Sequence, residues 1–306
     1  MSKNKVIEIE KLRKSYRSLI AVNDISFDVY KGEIFGMVGP NGAGKTTTIE
    51  CIEGLRSPDS GHLKVLGLDP QRDEYALRAR IGVQLQESAL QNRIKVWEAL
   101  DLFAAFYPNS TDWRPLLERL NLEDKKNTPF DKLSGGQKQR LFIAMSLINN
   151  PELLFFDELT TGLDPQARRN MWDLVRGIRD QGKTGVFTTH FMEEAERLCD
   201  RVAIIDQGKI VALDTPENLI RKLGAENRVV FTVNGEFDIK ELNKLNSAAR
   251  VERIGERCVV YGTSDKLVVD VVNALAENKC AFRDLRTEQP NLEDVFLTLT
   301  GKEMRN

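Results

Sequence analysis

The run Gly39-Pro-Asn-Gly-Ala-Gly-Lys-Thr46 constrains this chain more than any other feature. It matches GxxxxGK[ST] and lies between the apolar stretch from Ile34 to Val38 and a helical stretch that reaches Glu53 and is closed by Gly54. Strand, loop and helix in that order are the setting in which the pattern binds phosphate. Its glycines let the backbone turn tightly enough for several N–H groups to point inward. The following helix adds its positive N-terminal end. Lys45 then offers a charge to the β- and γ-phosphates of a nucleotide, and Thr46 a hydroxyl to Mg²⁺.

Two further segments suit the same chemistry. Leu153-Leu-Phe-Phe-Asp157-Glu158 is an apolar run that ends in two acids, as a buried parallel strand with ligands at its C-terminal end reads. Asp157 is expected to hold Mg²⁺, and Glu158 to polarise an attacking water as general base. Leu133-Ser-Gly-Gly-Gln137-Lys-Gln-Arg140 precedes a helical pattern through Leu141 and Ile148. Ser134 there suits an N-cap, and the helix start is a second place fit for an anion. Taken alone, each has an ordinary structural explanation, a buried strand ending in acids and a capped helix. The loop at 39–46 upstream gives them a shared purpose.

From Val6 to about Leu223 strand-like runs alternate with helical patterns, for example at Gly185–Thr189 and Val202–Ile205, which predicts an α/β domain. From about Glu87 to Asn149 the periodicity is almost wholly helical, with Val96, Leu100, Phe103 and Phe106 or Tyr107 on one face, and an inserted helical subdomain is expected there. After Gly224 the order β-α-β-β-α-β predicts a ferredoxin-like arrangement, with a terminal helix from Leu292 to Leu299.

Composition removes several alternatives. At 306 residues with 41% hydrophobic and 29% charged, the chain suits a globular protein of two parts. A formal net charge of -2 supplies no basic field for nucleic acid or an anionic membrane surface. Cys51, Cys199, Cys258 and Cys280 are scattered without a CxxC pair, against a metal site or a disulfide framework and in keeping with a reducing cytoplasm. The opening residues lack the apolar stretch of a signal peptide, and no run of about 18 apolar residues offers a membrane span. A membrane function would need another chain to cross the bilayer.

The ordered set of motifs across residues 6 to about 224 resembles the ATP-binding-cassette family. It comprises the loop at 39–46, Gln84-Leu-Gln86-Glu87, the highly specific LSGGQ at 133–137, the acidic strand end, Gly162-Leu-Asp164, and His190 after Thr188-Thr189. The fold the resemblance implies is α/β: a P-loop NTPase cassette with a RecA-like core, an antiparallel β subdomain and an inserted helical subdomain, plus a small C-terminal α+β ferredoxin-like domain. The division expected is 1–224, with the helical subdomain at about 87–149, and 225–306.

Residue by residue, the resemblance implies that Tyr16 stacks on adenine and that Gly39, Pro40, Asn41, Gly42, Ala43, Gly44, Lys45, Thr46 and Thr47 hold the phosphates. Ser134, Gly135, Gly136 and Gln137 would reach the nucleotide of an opposing subunit, and Asp164 would lie at the dimer interface. Glu158, His190, Gln86 and Lys45 would carry catalysis, and Thr46, Gln86 and Asp157 the Mg²⁺. Gln86, rather than Gln84, aligns with the family's glutamine, and His62 is left as structural. Where the family has proline after its catalytic glutamate this chain has Leu159, which predicts altered loop stiffness with the site kept.

The tail from Asn291 to Gly301 resembles that of bacterial drug-resistance exporters of the daunorubicin type, whose permease is a separate chain. An amphipathic helix covering a small domain explains Leu292, Val295, Phe296 and Leu299 equally well. The expected function is ATP hydrolysis powering a separate transmembrane permease, in export, by a head-to-tail homodimer on the cytoplasmic face of the membrane, with no nucleic acid as partner. A soluble cassette acting on nucleic acid or ribosomes, and a non-hydrolysing regulatory subunit, are the rival readings.

Overall fold

In a computed structural model, residues 4–84, 89–108, 110–222, 227–234 and 238–301 are described. The chain begins with a hairpin, β1 (Lys5–Tyr16) and β2 (Leu19–Tyr30), followed by β3 (Ile34–Val38), α1 (Lys45–Ile52), β4 (Ser60–Val65), α2 (Glu74–Arg78) and β5 (Ile81–Gln84). Helices α3 (Val96–Ala104), α4 (Arg114–Arg119) and α5 (Gly135–Leu147) come next. After them lie β6 (Leu153–Asp157), α6 (Pro165–Asp180), β7 (Thr184–Thr189), α7 (Met192–Leu198), β8 (Arg201–Asp206), β9 (Lys209–Asp214) and α8 (Pro216–Lys222).

A six-stranded sheet in the order β5-β6-β7-β3-β8-β9 forms the centre, parallel except for β9. Every residue of β3, β6 and β7 is buried, as helices on both faces of a parallel sheet require. Beside it, β2-β1-β4 form an antiparallel sheet. Its alternating apolar residues Ile7, Ile9 and Phe27 share one core cluster with Phe35, Met37 and Phe155 of the central sheet. The Phe27 and Phe35 rings stack with centroids 5.0 Å apart. Each such side chain contributes about 1.5–3 kcal/mol by leaving water.

The order β6-β7-β3 places the C-terminal ends of three chemistry-bearing strands side by side. Those ends lead into Asp157 and Glu158, into His190, and into the loop at 39–46. This is where ligands collect in open α/β sheets.

The insertion is less helical than its periodicity predicts. Its helices cover 96–104, 114–119 and 135–147, with short 3₁₀ turns at Glu123–Lys125 and Phe130–Lys132. Prolines cause the interruptions: Pro108 comes after the first helix, Pro115 opens the second, and Pro129 precedes the second 3₁₀ turn. Val96 and Leu100 are buried as expected, whereas Phe106 is 67% exposed, because α3 ends at Ala104 and the helical repeat no longer orients the residues beyond it.

The chain folds as two units, Met1–Pro216 together with Leu299–Asn306, and Glu217–Thr298. The boundary expected at 224 lies outside the described residues. In the second unit β10 (Asn227–Asn234), α9 (Lys240–Asn243), β11 (Arg250–Ile254), β12 (Arg257–Gly262), α10 (Leu267–Glu277) and β13 (Ala281–Glu288) precede α11 (Leu292–Thr300). The sheet order β11-β12-β10-β13, antiparallel throughout, is the split arrangement that the β-α-β-β-α-β order predicts. Val229, Phe231 and Val233 of β10 form its core with Val260, Val271 and Leu275. No helix among the described residues is long and apolar enough to cross a membrane.

Candidate active site

The loop leaving β3 is held by backbone contacts that admit no side chain. At Gly44, with φ 105°, an added Cβ would stand 2.2 Å from the Ala21 carbonyl oxygen; at Gly39 it would stand 2.1 Å from that of Ile205. The loop is therefore pressed against β2 and β8, and Ala43 accepts a hydrogen bond from the Gly208 N–H at 2.9 Å. Gly44 is the N-cap of α1 and contributes no side-chain acceptor, so the first-turn amides keep their capacity for an anion.

Lys45, the first residue of α1, is 4% exposed. Its ammonium donates to the Gly39 carbonyl at 2.8 Å and the Pro40 carbonyl at 3.1 Å, and lies 3.9 Å from Glu158 Oε1. Burial lowers its pKa, opposed by the charges of Glu158 and Asp157. Tyr16, Asn41, Gly42, Gly44, Lys45, Thr46, Thr47 and Glu158 line a cavity of about 350 Å³. The Tyr16 ring, 37% exposed, carries the Arg56 guanidinium at 5.2 Å and offers a flat surface at the mouth.

Across from the loop, the Thr188 hydroxyl donates to Asp157 and accepts from the Glu158 N–H at 3.1 Å. Burial raises the pKa of Asp157, while hydrogen bonds from Thr188 and Thr46 lower it. Glu158 has φ 49°, a left-handed conformation that is strained for a residue with a Cβ and that recurs at active sites. Its Oε1 lies 3.4 Å from His190 Nδ1, which is buried and makes no hydrogen bond among the described residues.

The groups near the cradle that could hold a metal are hard oxygens, the Thr46 hydroxyl and the Asp157 carboxylate, and the hydroxyl lowers the pKa of the carboxyl. Two protein oxygens suit Mg²⁺, which keeps waters and phosphate oxygens in its remaining positions. Among the described residues no cluster of three or more His, Cys, Asp or Glu could hold a metal by itself.

Ser134 caps α5. Its hydroxyl accepts from the Gln137 N–H at 3.3 Å, and the Gln137 side chain accepts from the Ser134 N–H at 2.9 Å, so the segment Ser134–Gln137 is a capping box. Ser134→Ala is expected to cost about 1 kcal/mol in folding stability, read as a lower denaturant midpoint at unchanged slope. Ser134, Gly135, Gly136 and Asp164 line a second cavity, of about 440 Å³, which shares no lining residue with the first. Asp164 caps α6, accepting from the Ala167 N–H at 2.8 Å.

Gln86 lies outside the described residues. Gln84, at the end of β5, is buried and donates to Gln139 at 3.4 Å, and Gln139 donates to the Leu159 carbonyl at 3.0 Å. Leu159, in the family's proline position, is fully buried, so an apolar anchor and the Gln139 bond hold the backbone there.

Sequence reasoning missed Glu194. It is 1% exposed and accepts from the hydroxyls of Thr160 and Thr189, the latter at 2.7 Å, and from the Trp172 indole at 3.4 Å. It thereby ties the loop after Glu158 to the strand end before His190. An acid in the first turn of α7 reads as ordinary helix-terminus charge, so nothing in the sequence marked it. Glu194→Ala is expected to leave these donors unpaired and to cost about 2–3 kcal/mol, with turnover falling about tenfold as the two segments loosen; denaturant unfolding and initial rates check both.

Comparisons with known proteins point to one family. Residues 22–161 match the family described as ABC transporter, and residues 239–301 match the family described as nodulation factor export protein NodI, C-terminal domain. The chain is 42% identical over 311 residues to a Nod factor export ATP-binding protein I of Ralstonia nicotianae, covering 98% of this chain and 95% of that one. It is 41% identical over 306 residues to the protein of that name from Rhizobium johnstonii, with 97% and 96% covered. Among solved structures, an ATP-binding subunit of an ABC transporter superposes with a TM-score of 0.65 at 28% identity, over 72% of this chain and 93% of that one. A dimeric, post-hydrolysis ATP-binding cassette bound to ADP and Pi gives 0.61 at 26% identity, over 68% and 98%.

Proposed function

The chain belongs to the ABC transporter family as an ATP-binding, ATP-hydrolysing subunit, and on that premise we propose that it is the motor of an exporter whose membrane-spanning permease is a separate polypeptide. The export direction is taken from the named activity of the relatives, and the matching tail at 239–301 supports it. Cargo is contacted by the permease, so that chain sets its identity. We take residues 1–224 as the ATP-binding domain and 225–306 as an accessory domain, the whole seated peripherally on the cytoplasmic face of the membrane.

One observation supports a head-to-tail dimer. The phosphate cradle with Lys45 and Glu158 and the capped helix start with Ser134, Gly136 and Asp164 line different cavities of one chain. Two copies facing in opposite directions would join each cradle to the other copy's helix start, enclosing two nucleotides.

In this reading Tyr16 stacks on the base, and the amides from Gly39 to Thr47 with the Lys45 ammonium hold the phosphates. Mg²⁺, held by Thr46, Asp157 and Gln86, supplies positive charge when bound. Glu158 takes a proton from the attacking water, and His190, 3.4 Å from that carboxylate, orients it. ATP favours the closed dimer and hydrolysis reopens it, a population shift between two states.

The reading is tested by measuring ATP turnover of the purified chain and its mass by light scattering with and without Mg·ATP, and by isolating it from solubilised membranes. Turnover, a doubled mass in nucleotide and a co-isolated membrane chain are expected. A chain that neither hydrolyses nor doubles in mass would sink the motor assignment.

A further inference from the structure

Against the imidazole of His190 lies a second ring. The centroids of His190 and Phe191 are 4.0 Å apart, and the Arg168 guanidinium stands 4.5 Å from the centre of the Phe191 ring. A guanidinium over an aromatic face is attracted to it, more so where water is kept out. The Arg168 side chain is 26% exposed, and its Nε is buried without a hydrogen-bond partner among the described residues. That nitrogen lies 3.7 Å from Oε1 of the buried Glu194. Two contacts therefore hold the guanidinium, the stack on Phe191 and the charge of Glu194.

His190 Nδ1 has no hydrogen bond among the described residues. The plane of the imidazole is then set by what packs on it, and Phe191 packs on it. Phe191 is fixed at both ends: its N–H donates to the Thr189 hydroxyl at 2.9 Å, and its ring is covered by Arg168. Arg168 is rooted at the start of α6, where its N–H donates to the Asp164 carbonyl at 2.9 Å. One turn further along that helix, the Trp172 indole donates to the same Glu194.

Resting on the reading of His190 as the group that orients the Glu158 carboxylate, we propose that Arg168 is a positioning residue for ATP hydrolysis. It holds the Phe191 ring, and through that ring the plane of His190 beside Glu158. Neither Arg168 nor Phe191 lines the nucleotide cavity, so the effect falls on the chemical step and not on ATP binding.

The test compares the full-length chain with Arg168→Gln, Phe191→Leu and the double variant. Each single change is expected to lower kcat about tenfold at an unchanged KM for ATP, inside the roughly 10²-fold that an ångström of misplacement costs. The double variant is expected to lose no more than either single one, since both act through the same ring. The chain has two histidines, His62 and His190, so the Cε1–H resonance of His190 is followed by NMR with His62 as internal reference. Arg168→Gln should move the His190 resonance, which senses the ring current of Phe191, and leave that of His62 in place.

Native kcat in either single variant, additive losses in the double one, or an unmoved His190 resonance would each overturn the inference. Should Arg168→Gln fail to fold, Phe191→Leu, which removes the ring and keeps both Arg168 and Glu194, decides by its kcat. The resonance is read without ATP, which separates the two readings. Absence of turnover in the unaltered chain counts against the motor assignment, whereas normal turnover with an unmoved resonance counts against the Arg168 contact alone.

Discussion

Glu158→Gln is expected to lower ATP turnover by about 10²–10⁴-fold, the usual range for removing a general base, while ATP binding persists. Glutamine keeps the size of the side chain and can still accept from the Thr161 hydroxyl, which lies 3.3 Å from Glu158 Oε2. It loses the charge that faces Lys45 at 3.9 Å and His190 at 3.4 Å. Because the cradle amides and Lys45 remain, the variant should accumulate as an ATP-bound dimer, visible as a doubled mass that persists in Mg·ATP. Near-normal turnover would move the base role to another group, and full loss of ATP binding would mean that Glu158 shapes the cradle rather than the chemistry.

The second large effect concerns Glu53 and pH. Burial pushes its carboxyl up to about 8 from the usual 4.5, helped by the negative charges of Asp157 and Glu50. Between those values the folded chain holds a proton that the unfolded chain has released. Stability contributed by this group is therefore full below about pH 4.5 and is lost as pH rises toward 8. The loss is on the order of 4 kcal/mol. Glutamine does not titrate, so Glu53→Gln should gain on the native chain as pH rises from about 5 to about 8.5, whatever its constant offset. Trp97, Trp113 and Trp172 all lie in the first unit, so tryptophan fluorescence in a urea titration tracks the unit that contains Glu53. A difference between variant and native chain that stays flat across that pH range would contradict the raised pKa.

The cradle was legible because it is local. A strand, a glycine-rich turn and a helix start are encoded within adjacent residues, and so is the Ser134–Gln137 capping box, whose two hydrogen bonds span three residues. The β-α-β-β-α-β order of the second unit was legible for the same reason: alternation and helical repeat are short-range patterns. The insertion was read as too helical because its apolar spacing continues past Ala104, while Pro108, Pro115 and Pro129 act on the backbone rather than on the pattern.

Other features depended on distance in sequence. Lys45, Glu158 and His190 meet only because β3, β7 and β6 are neighbours in the sheet, and strand order is a property of packing. Glu194 and Glu53 are ordinary acids in helical patterns; what distinguishes them is that one collects three donors and the other's Oε2 has no hydrogen-bond partner among the described residues. By itself, then, the sequence determined the glycine-rich loop, the acidic strand end and the capped helix start, since each is written in the spacing of nearby residues. Only the tertiary structure decided which of them share a cavity, which acids are buried and which of those find partners, because burial and pairing are set by segments that come together from far apart in the chain.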